Sequence, residues 1–172
     1  MNPHQGTEGR AELEAQIVAD ARALTAESDQ VGRFFAAIYQ VHPSDFRALL
    51  HVLVAETRGS PLAAGELRQK MGVSGAAITY LVERMIESGH LRRESDPADR
   101  RKVILRYADH GREVAAAFFA PLGRHTYAAM ADMPDSDLAA AHRVFTALID
   151  AMRRFQEELK GTKAPELPGQ VP

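Results

Sequence analysis

The sequence predicts a mainly α-helical fold with one small β-hairpin (α+β), arranged as a winged helix-turn-helix with long N- and C-terminal helices. Three observations lead to this prediction. Two short helical segments, each with its own cap, lie close together between Ser60 and Gly89. A basic segment with a turn follows them up to Tyr107, and long amphipathic segments flank both.

The N-terminal part of the chain predicts two helices. The first, long or bent, runs from about Ala11 to Gln40, and the second begins at Pro43, because proline suits the first helical position. The first carries apolar side chains at helical spacing, namely Leu13, Ile17, Ala21, Leu24, Val31, Phe34, Phe35, Ile38 and Tyr39. The second would turn four apolar side chains inward as a floor for the next segment, namely Phe46, Leu49, Leu50 and Leu53.

The helix-turn-helix is predicted from its capping residues. Ser60 can cap a first helix through its hydroxyl, Pro61 suits its first position, and Gly72 ends it in a left-handed conformation. Ser74 caps the second helix, and Gly89 terminates it. Its inner face is marked by Ala77, Ile78, Leu81, Val82, Met85 and Ile86.

A basic hairpin follows. We expect one strand over 91–95, a turn over 96–99 that contains Asp96-Pro97, and a returning segment over 100–107. Alternation predicts that three side chains of the second strand point inward, namely Val103, Leu105 and Tyr107. The turn would place three adjacent cations at or beside the tip, namely Arg100, Arg101 and Lys102. Such cations suit contacts with phosphates and with the DNA minor groove.

Two further helices complete the prediction. One begins at Asp109 and runs to about Met130, with Pro121 expected to bend or break it. The last, from about Asp135 to Lys160, places apolar side chains at alternating spacings of three and four, namely Leu138, Ala141, Phe145, Leu148, Met152, Phe155 and Leu159. This pattern fits a dimer seam and also an ordinary amphipathic helix on its own core. The long first helix favours the dimer.

These elements define one domain over 11–160, with 11–40 and 109–160 as dimerisation helices and 43–107 as the winged helix-turn-helix. Residues 1–10 and 161–172 are expected to be flexible tails.

The charge is unevenly distributed along the 172 residues, although the formal net charge is only −2. Residues 58–112 contain eleven Lys or Arg against seven Asp or Glu, about +4, which leaves about −6 elsewhere. A basic segment on an acidic body is compatible with nucleic-acid binding. The chain has no cysteine, which excludes disulfides, cysteine-ligated zinc and thiol-based sensing. It also lacks a long apolar run and a signal-like start, so we expect a cytoplasmic protein without membrane contact.

Together, the motifs of the central segment resemble those of the MarR family of bacterial transcription regulators. They are Leu62-x-x-x-Glu66-Leu67, Val73-Ser74-x-x-Ala77-Ile78-Thr79-x-Leu81-Val82-x-Arg84-Met85, Gly89-x-Leu91-x-Arg93 and Asp96-Pro97-x-Asp99-Arg100-Arg101. The resemblance implies a homodimer on double-stranded DNA, more often a repressor than an activator. It also implies that the wing arginine enters the minor groove and that Asp99 braces Arg101, a role that is compatible with turn capping.

The second helix of a helix-turn-helix lies in the major groove, with its N-terminal residues facing the bases. The candidate DNA-binding residues are therefore Ser74, Gly75, Ala76, Thr79, Tyr80, Arg84, Arg93, Asp99, Arg100, Arg101 and Lys102. Tyr80 could touch a thymine methyl or simply rest on its own helix. Since few of these side chains are strong bidentate readers, specificity needs two half-sites about 34 Å apart in a near-palindromic operator.

Family resemblance also implies a small effector, often an aromatic acid, between the dimerisation helices and the DNA-reading part. The candidate ligand-binding residues are Phe35, Tyr39, His42, Phe46 and Arg47, and the alternative is plain core packing. No catalytic residue, metal site or cofactor is predicted, because histidine spacing is unlike that of a helical metal site.

We therefore expect a ligand-responsive repressor, released from a near-palindromic operator by a small ligand. The alternatives are a metal-responsive or activating regulator of the same fold and a winged-helix module that binds protein. An enzyme is not expected, because the sequence lacks a phosphate-binding glycine loop and a recognisable nucleophile turn.

Overall fold

A computed structural model describes the backbone of residues 3–160 and the side chains of residues 9–160. The elements in chain order are α1 (Pro3–Tyr39), α2 (Pro43–Thr57), α3 (Ala64–Met71), α4 (Gly75–Glu87), β1 (Leu91–Ser95), β2 (Val103–Tyr107), α5 (Asp109–Met130) and α6 (Asp135–Lys160). This mainly helical chain with an antiparallel hairpin confirms the predicted fold class. It divides into two compact units, one up to Ala120 and one from Pro121. The predicted C-terminal tail lies outside the described residues.

Helix α1 begins at Pro3, whereas the sequence predicts a tail before Ala11. Proline is well tolerated at a helix start because its missing N–H is not needed there. The helix ends at Tyr39, where Gln40 adopts a left-handed φ of 53° and the Val41 N–H donates to the Ala36 carbonyl at 3.1 Å. The chain then turns directly into α2.

The core of the first unit forms where α2, α4 and the hairpin meet. Leu49 and Val52 of α2 are 2% and 0% exposed, and the Tyr107 hydroxyl of β2 donates to the Leu49 carbonyl at 2.9 Å. The prediction that Leu50 and Leu53 point inward is wrong, since they are 45% and 38% exposed. The inner face of α2 is instead made by Asp45, Ala48, Leu49, Val52 and Ala55, which share one side of the helix.

Pairing with β2 determines where α3 begins. The Leu105 N–H donates to the Leu62 carbonyl at 2.8 Å, and Ala63 bridges to Ile104. Residues 62–63 are therefore extended, so the prediction of a helix capped by Ser60 is wrong. The helix starts at Ala64, and the Glu66 carboxylate accepts the Ala63 N–H at 2.7 Å in place of a serine cap.

The hairpin pairs Leu91 with Tyr107 at its base and Ser95 with Val103 near its tip. Leu105 and Tyr107 are buried as predicted, but Val103 is 49% exposed and Ile104 is fully buried. Both faces of β2 are therefore covered at 104–105, which simple alternation does not anticipate.

Helix α5 starts at Asp109 as predicted and is continuous through Pro121, so the alternative of a break there is wrong. Helix α6 covers the predicted range, Asp135–Lys160, and contains no buried residue. Among its apolar side chains, Phe145, Met152 and Phe155 are each about half exposed.

Candidate nucleic-acid interface

The start of α4 presents a polar and sterically open surface. Gly72 closes α3 in the left-handed region with φ of 66°, and the Ser74 hydroxyl caps α4 by accepting the Ala77 N–H at 3.2 Å. The predicted reading residues at this end are all exposed, namely Ser74, Gly75, Ala76, Thr79 and Tyr80. Thr79 is exposed, and its hydroxyl donates to the Gly75 carbonyl at 2.9 Å, which leaves the oxygen free to accept a further hydrogen bond. The first turns of α4 are therefore accessible to a partner.

The tip of the wing is built by aspartate side chains. Asp96 accepts the Ala98 N–H at 2.8 Å, and the Lys102 N–H donates to the Asp99 carbonyl at 2.8 Å. The Asp99 carboxylate accepts both the Arg101 N–H at 3.1 Å and the Arg101 Nε at 3.4 Å. The geometry thus combines the turn-capping and bracing roles expected of Asp99, while the Arg101 side chain remains 94% exposed.

Two other predicted cations have acidic partners. Arg93 pairs with Glu83 of α4 at 2.6 Å, and Lys102 pairs with Glu66 of α3 at 3.4 Å. Exposed pairs of this kind contribute little to stability, so a phosphate can replace the carboxylate. Arg100 is exposed and makes no ion pair within the described part of the chain.

Arg84 lies in a different environment from the other candidates. Its Nε donates to Asp45 Oδ2 at 2.9 Å, its Nη2 donates to Oδ1 of the same carboxylate, and its guanidinium lies 4.9 Å from the centroid of the Tyr80 ring. Asp45 is 1% exposed and belongs to α2. The sequence does not indicate this pair, because no local pattern links a carboxylate and an arginine that are 39 residues apart.

The predicted ligand-binding residues do not form one site. Phe35 is 3% exposed, and its ring lies 5.2 Å from Phe46 and 5.1 Å from Phe118, which is the core packing weighed as the alternative. Arg47 is exposed on α2, where its charge acts on His51.

Tyr39, whose ring lies 4.9 Å from that of Phe35, also lines with His42 an open cleft of about 590 Å³ between the end of α1, the start of α2 and α4. His42 also caps α2, since its Nδ1 accepts the Ser44 N–H at 3.2 Å. The cation at this cleft is Arg84, and Asp45 and His90 share the wall.

Within the described residues, no group of three or more His, Asp or Glu side chains is arranged to hold a metal ion. No helix among residues 3–160 is long and apolar enough to cross a membrane.

His90 makes folding stability depend on pH. Burial, reinforced by the neighbouring His110, lowers the pKa of His90 below its ordinary value and outweighs the raising influence of Asp45 and Ser88. Protonation of His90 therefore favours the unfolded chain. The contribution of neutral His90 to the free energy of unfolding is fully present above about pH 6.5, and it is lost as the pH falls from there through the lower folded-state pKa.

We expect the urea midpoint of the wild type to fall between about pH 7.5 and pH 5.5. The His90→Asn variant should lose part of this pH dependence. The rest should remain, because the pKa of His51 is also lowered, by burial and by Lys70 and Arg47. An equal pH dependence in wild type and variant would argue against this role of His90.

The chain resembles known regulators over most of its length. Residues 39–102 match the model of the MarR family. YcgE, an uncharacterised HTH-type transcriptional regulator of Bacillus subtilis (strain 168), is 28% identical over 151 residues, which cover 88% of this chain and 96% of YcgE.

Solved structures show the same architecture. A MarR family protein from Bacillus stearothermophilus is 25% identical with a TM-score of 0.57, and the match covers 89% of this chain and 99% of that one. A variant of MepR from multidrug-resistant S. aureus shares the fold with a TM-score of 0.63 at 10% identity, over 79% and 96% of the two chains. With its capped helix α4 and its basic wing, the chain is similar to the MarR family over residues 39–102 and has the winged helix-turn-helix fold of a DNA-binding transcription regulator.

Proposed function

We propose that the protein is a homodimeric repressor that binds a near-palindromic operator and is released from it by a small ligand. The observation that carries this proposal is the pairing of an exposed reading end on α4 with a wing arginine held by Asp99. The first would contact base edges in the major groove, and the second would contact phosphates and the minor groove. Because the target is chromosomal DNA, we place the protein in the cytoplasm.

Exposed apolar surface supports the homodimer. Helix α1 exposes Leu24, Phe34 and Ile38 by 54%, 56% and 63%, and α6 exposes Phe145 and Phe155 by 47% and 59%. A single chain would leave these side chains in water, and large exposed apolar patches usually mark an interface. A two-fold dimer formed through these helices would present two copies of α4 to successive turns of DNA.

Because α4 is proposed to contact the bases and the wing to contact phosphates and the minor groove, we expect Thr79→Ala to change the preferred DNA sequence. The substitution removes a methyl and a hydroxyl that face the bases, so we expect it to change the preferred operator by about 1 to 3 kcal/mol at one base pair per half-site. Affinity for unrelated duplexes should change little. Selection from a random duplex library with wild type and variant measures this, and an identical selected sequence would contradict the assignment of Thr79 to base contacts.

For the ligand, we propose a small aromatic acid bound in the cleft lined by Tyr39, His42 and Arg84. The cleft is large enough for such a molecule, and beside its aromatic and aliphatic walls His42, whose Nδ1 accepts the Ser44 N–H, can donate its Nε2–H to a carboxylate. Since Arg84 and Met85 belong to α4, binding there would act directly on the reading helix.

The proposal is tested by light scattering of the purified protein and by gel shifts with the DNA upstream of its own gene. We expect a dimer in solution, a shifted near-palindrome, and loss of the shift with a subset of small aromatic acids. A monomer at micromolar concentration would contradict the dimer, and a shift unaffected by every aromatic acid tried would contradict the proposed ligand class.

A further inference from the structure

Asp45 is a buried carboxylate with an unusually complete set of donors. It lies in the first turn of α2, where the helix dipole favours a negative charge, and its side chain is 2% exposed. Two donors come from Arg84, and the Ser44 hydroxyl, which is shared with His42 Nδ1 at 2.8 Å, lies 3.3 Å from Asp45 Oδ1. Burying a charge is costly unless it is paired in this way, so Asp45 strongly constrains where the Arg84 guanidinium lies.

The same guanidinium holds the Tyr80 ring. Tyr80 is one turn before Arg84 on α4, and the 4.9 Å separation of cation and ring is within the range of a cation–π contact. Tyr80 is 67% exposed and has no place in the core, so this contact limits the rotamers that its ring can adopt. A chain of contacts thus runs from the start of α2 to an exposed side chain of the reading helix.

Arg84 is poorly placed to act as a phosphate contact at the same time. Its Nε and Nη2 are directed at Asp45, and its side chain is only 34% exposed. A guanidinium neutralised by a buried carboxylate contributes little to the attraction of DNA. By contrast, Arg101 on the wing is almost fully exposed.

We propose that Asp45 is a specificity-positioning residue, which holds Arg84 so that Tyr80 presents its ring to the bases in one orientation. This inference rests on the proposed reading of DNA by α4, and it assigns Arg84 to positioning rather than to phosphate binding. Loss of the carboxylate should therefore reduce discrimination between operator and unrelated DNA, and should not weaken the general attraction to DNA.

The test uses the full chain and a duplex selected by the wild type from a random library, together with a scrambled duplex of the same composition. Binding is measured by fluorescence anisotropy over a series of salt concentrations. For Asp45→Asn we expect about a tenfold loss of affinity for the selected duplex, comparable to one mismatched base pair, with scrambled binding within about twofold of wild type. The dependence of log affinity on log salt should not change, because no phosphate contact is lost.

A double substitution makes the coupling measurable. If Asp45 acts through Tyr80, adding Asp45→Asn to Tyr80→Ala should cost almost nothing further. Asp150→Asn, which removes the exposed pair with Arg153 on α6, is the matched control and should leave binding unchanged. Additive losses in the double variant would overturn the proposal.

Arg84→Lys distinguishes positioning of Tyr80 from phosphate binding as the role of Arg84. It also tests the proposal if Asp45→Asn fails to fold. Lysine keeps the positive charge but cannot make the two-pronged contact, so we expect the same loss of discrimination. Unchanged discrimination in Arg84→Lys, or a salt slope reduced by about one in Arg84→Met, would overturn the proposal. A wild type that binds no duplex would instead contradict the proposed function itself.

Discussion

Gly111→Ala is expected to destabilise the first unit of the chain by about 3 kcal/mol or more. Gly111 is buried near the start of α5, where a Cβ atom would lie 2.3 Å from the His90 carbonyl oxygen and 2.9 Å from the His90 Cα. Both atoms belong to the backbone, so no side-chain rotation can relieve the overlap. The Gly111 N–H also donates to the Gly89 carbonyl at 3.2 Å, and any displacement of α5 weakens this bond.

Urea unfolding followed by circular dichroism measures this effect. The matched control is Gly123→Ala in the same helix, where the nearest atom to an added Cβ is Tyr127 Cε2 at 4.0 Å. Because alanine favours helix over glycine, the control should be stabilised by up to about 1 kcal/mol. Equal midpoints for Gly111→Ala and wild type would show that α5 does not pack this closely on the segment between α4 and β1.

Arg101→Ala is expected to weaken binding to every duplex by a similar factor and to reduce the salt slope by about one. Its side chain is 94% exposed and is directed by Asp99, so removing it takes away one cation at the wing tip without disturbing the core. Because phosphate contacts carry no base information, the ranking of operators should be preserved.

Salt-dependent anisotropy on selected and scrambled duplexes separates these effects. Arg124→Ala removes an exposed arginine of α5 outside the basic segment and is the matched control for net charge. If Arg101→Ala had the same affinity and salt slope as Arg124→Ala, the wing would not be part of the DNA interface.

Local signals in the sequence were sufficient for much of the fold. Ser74 caps α4, Pro43 opens α2, and Gly72 and Gly89 adopt left-handed conformations, as the sequence predicts. Each of these features depends on a residue and its immediate neighbours. The contact of Asp99 with Arg101, which the family resemblance implies, is equally local, because the two residues are only two positions apart.

The features that were missed depend on distant contacts. Helix α3 starts late because residues 62–63 pair with β2, and Ile104 is buried because both faces of that strand are covered. The role of Arg84 was missed for the same reason, since its partner Asp45 lies 39 residues earlier in the chain. Periodicity reports which side of a helix is apolar, but it does not report which buried charge will meet which cation.

The central claim is that this chain reads DNA as a two-fold dimer through α4 and its wing. The most direct test titrates wild-type protein into a duplex selected from a random library and determines stoichiometry and affinity together. We predict two chains per duplex, a selected sequence with two inverted half-sites centred about one helical turn apart, and affinity that falls steeply with salt. Binding of one chain per duplex without sequence preference, or no binding to any duplex at low salt, would contradict the account.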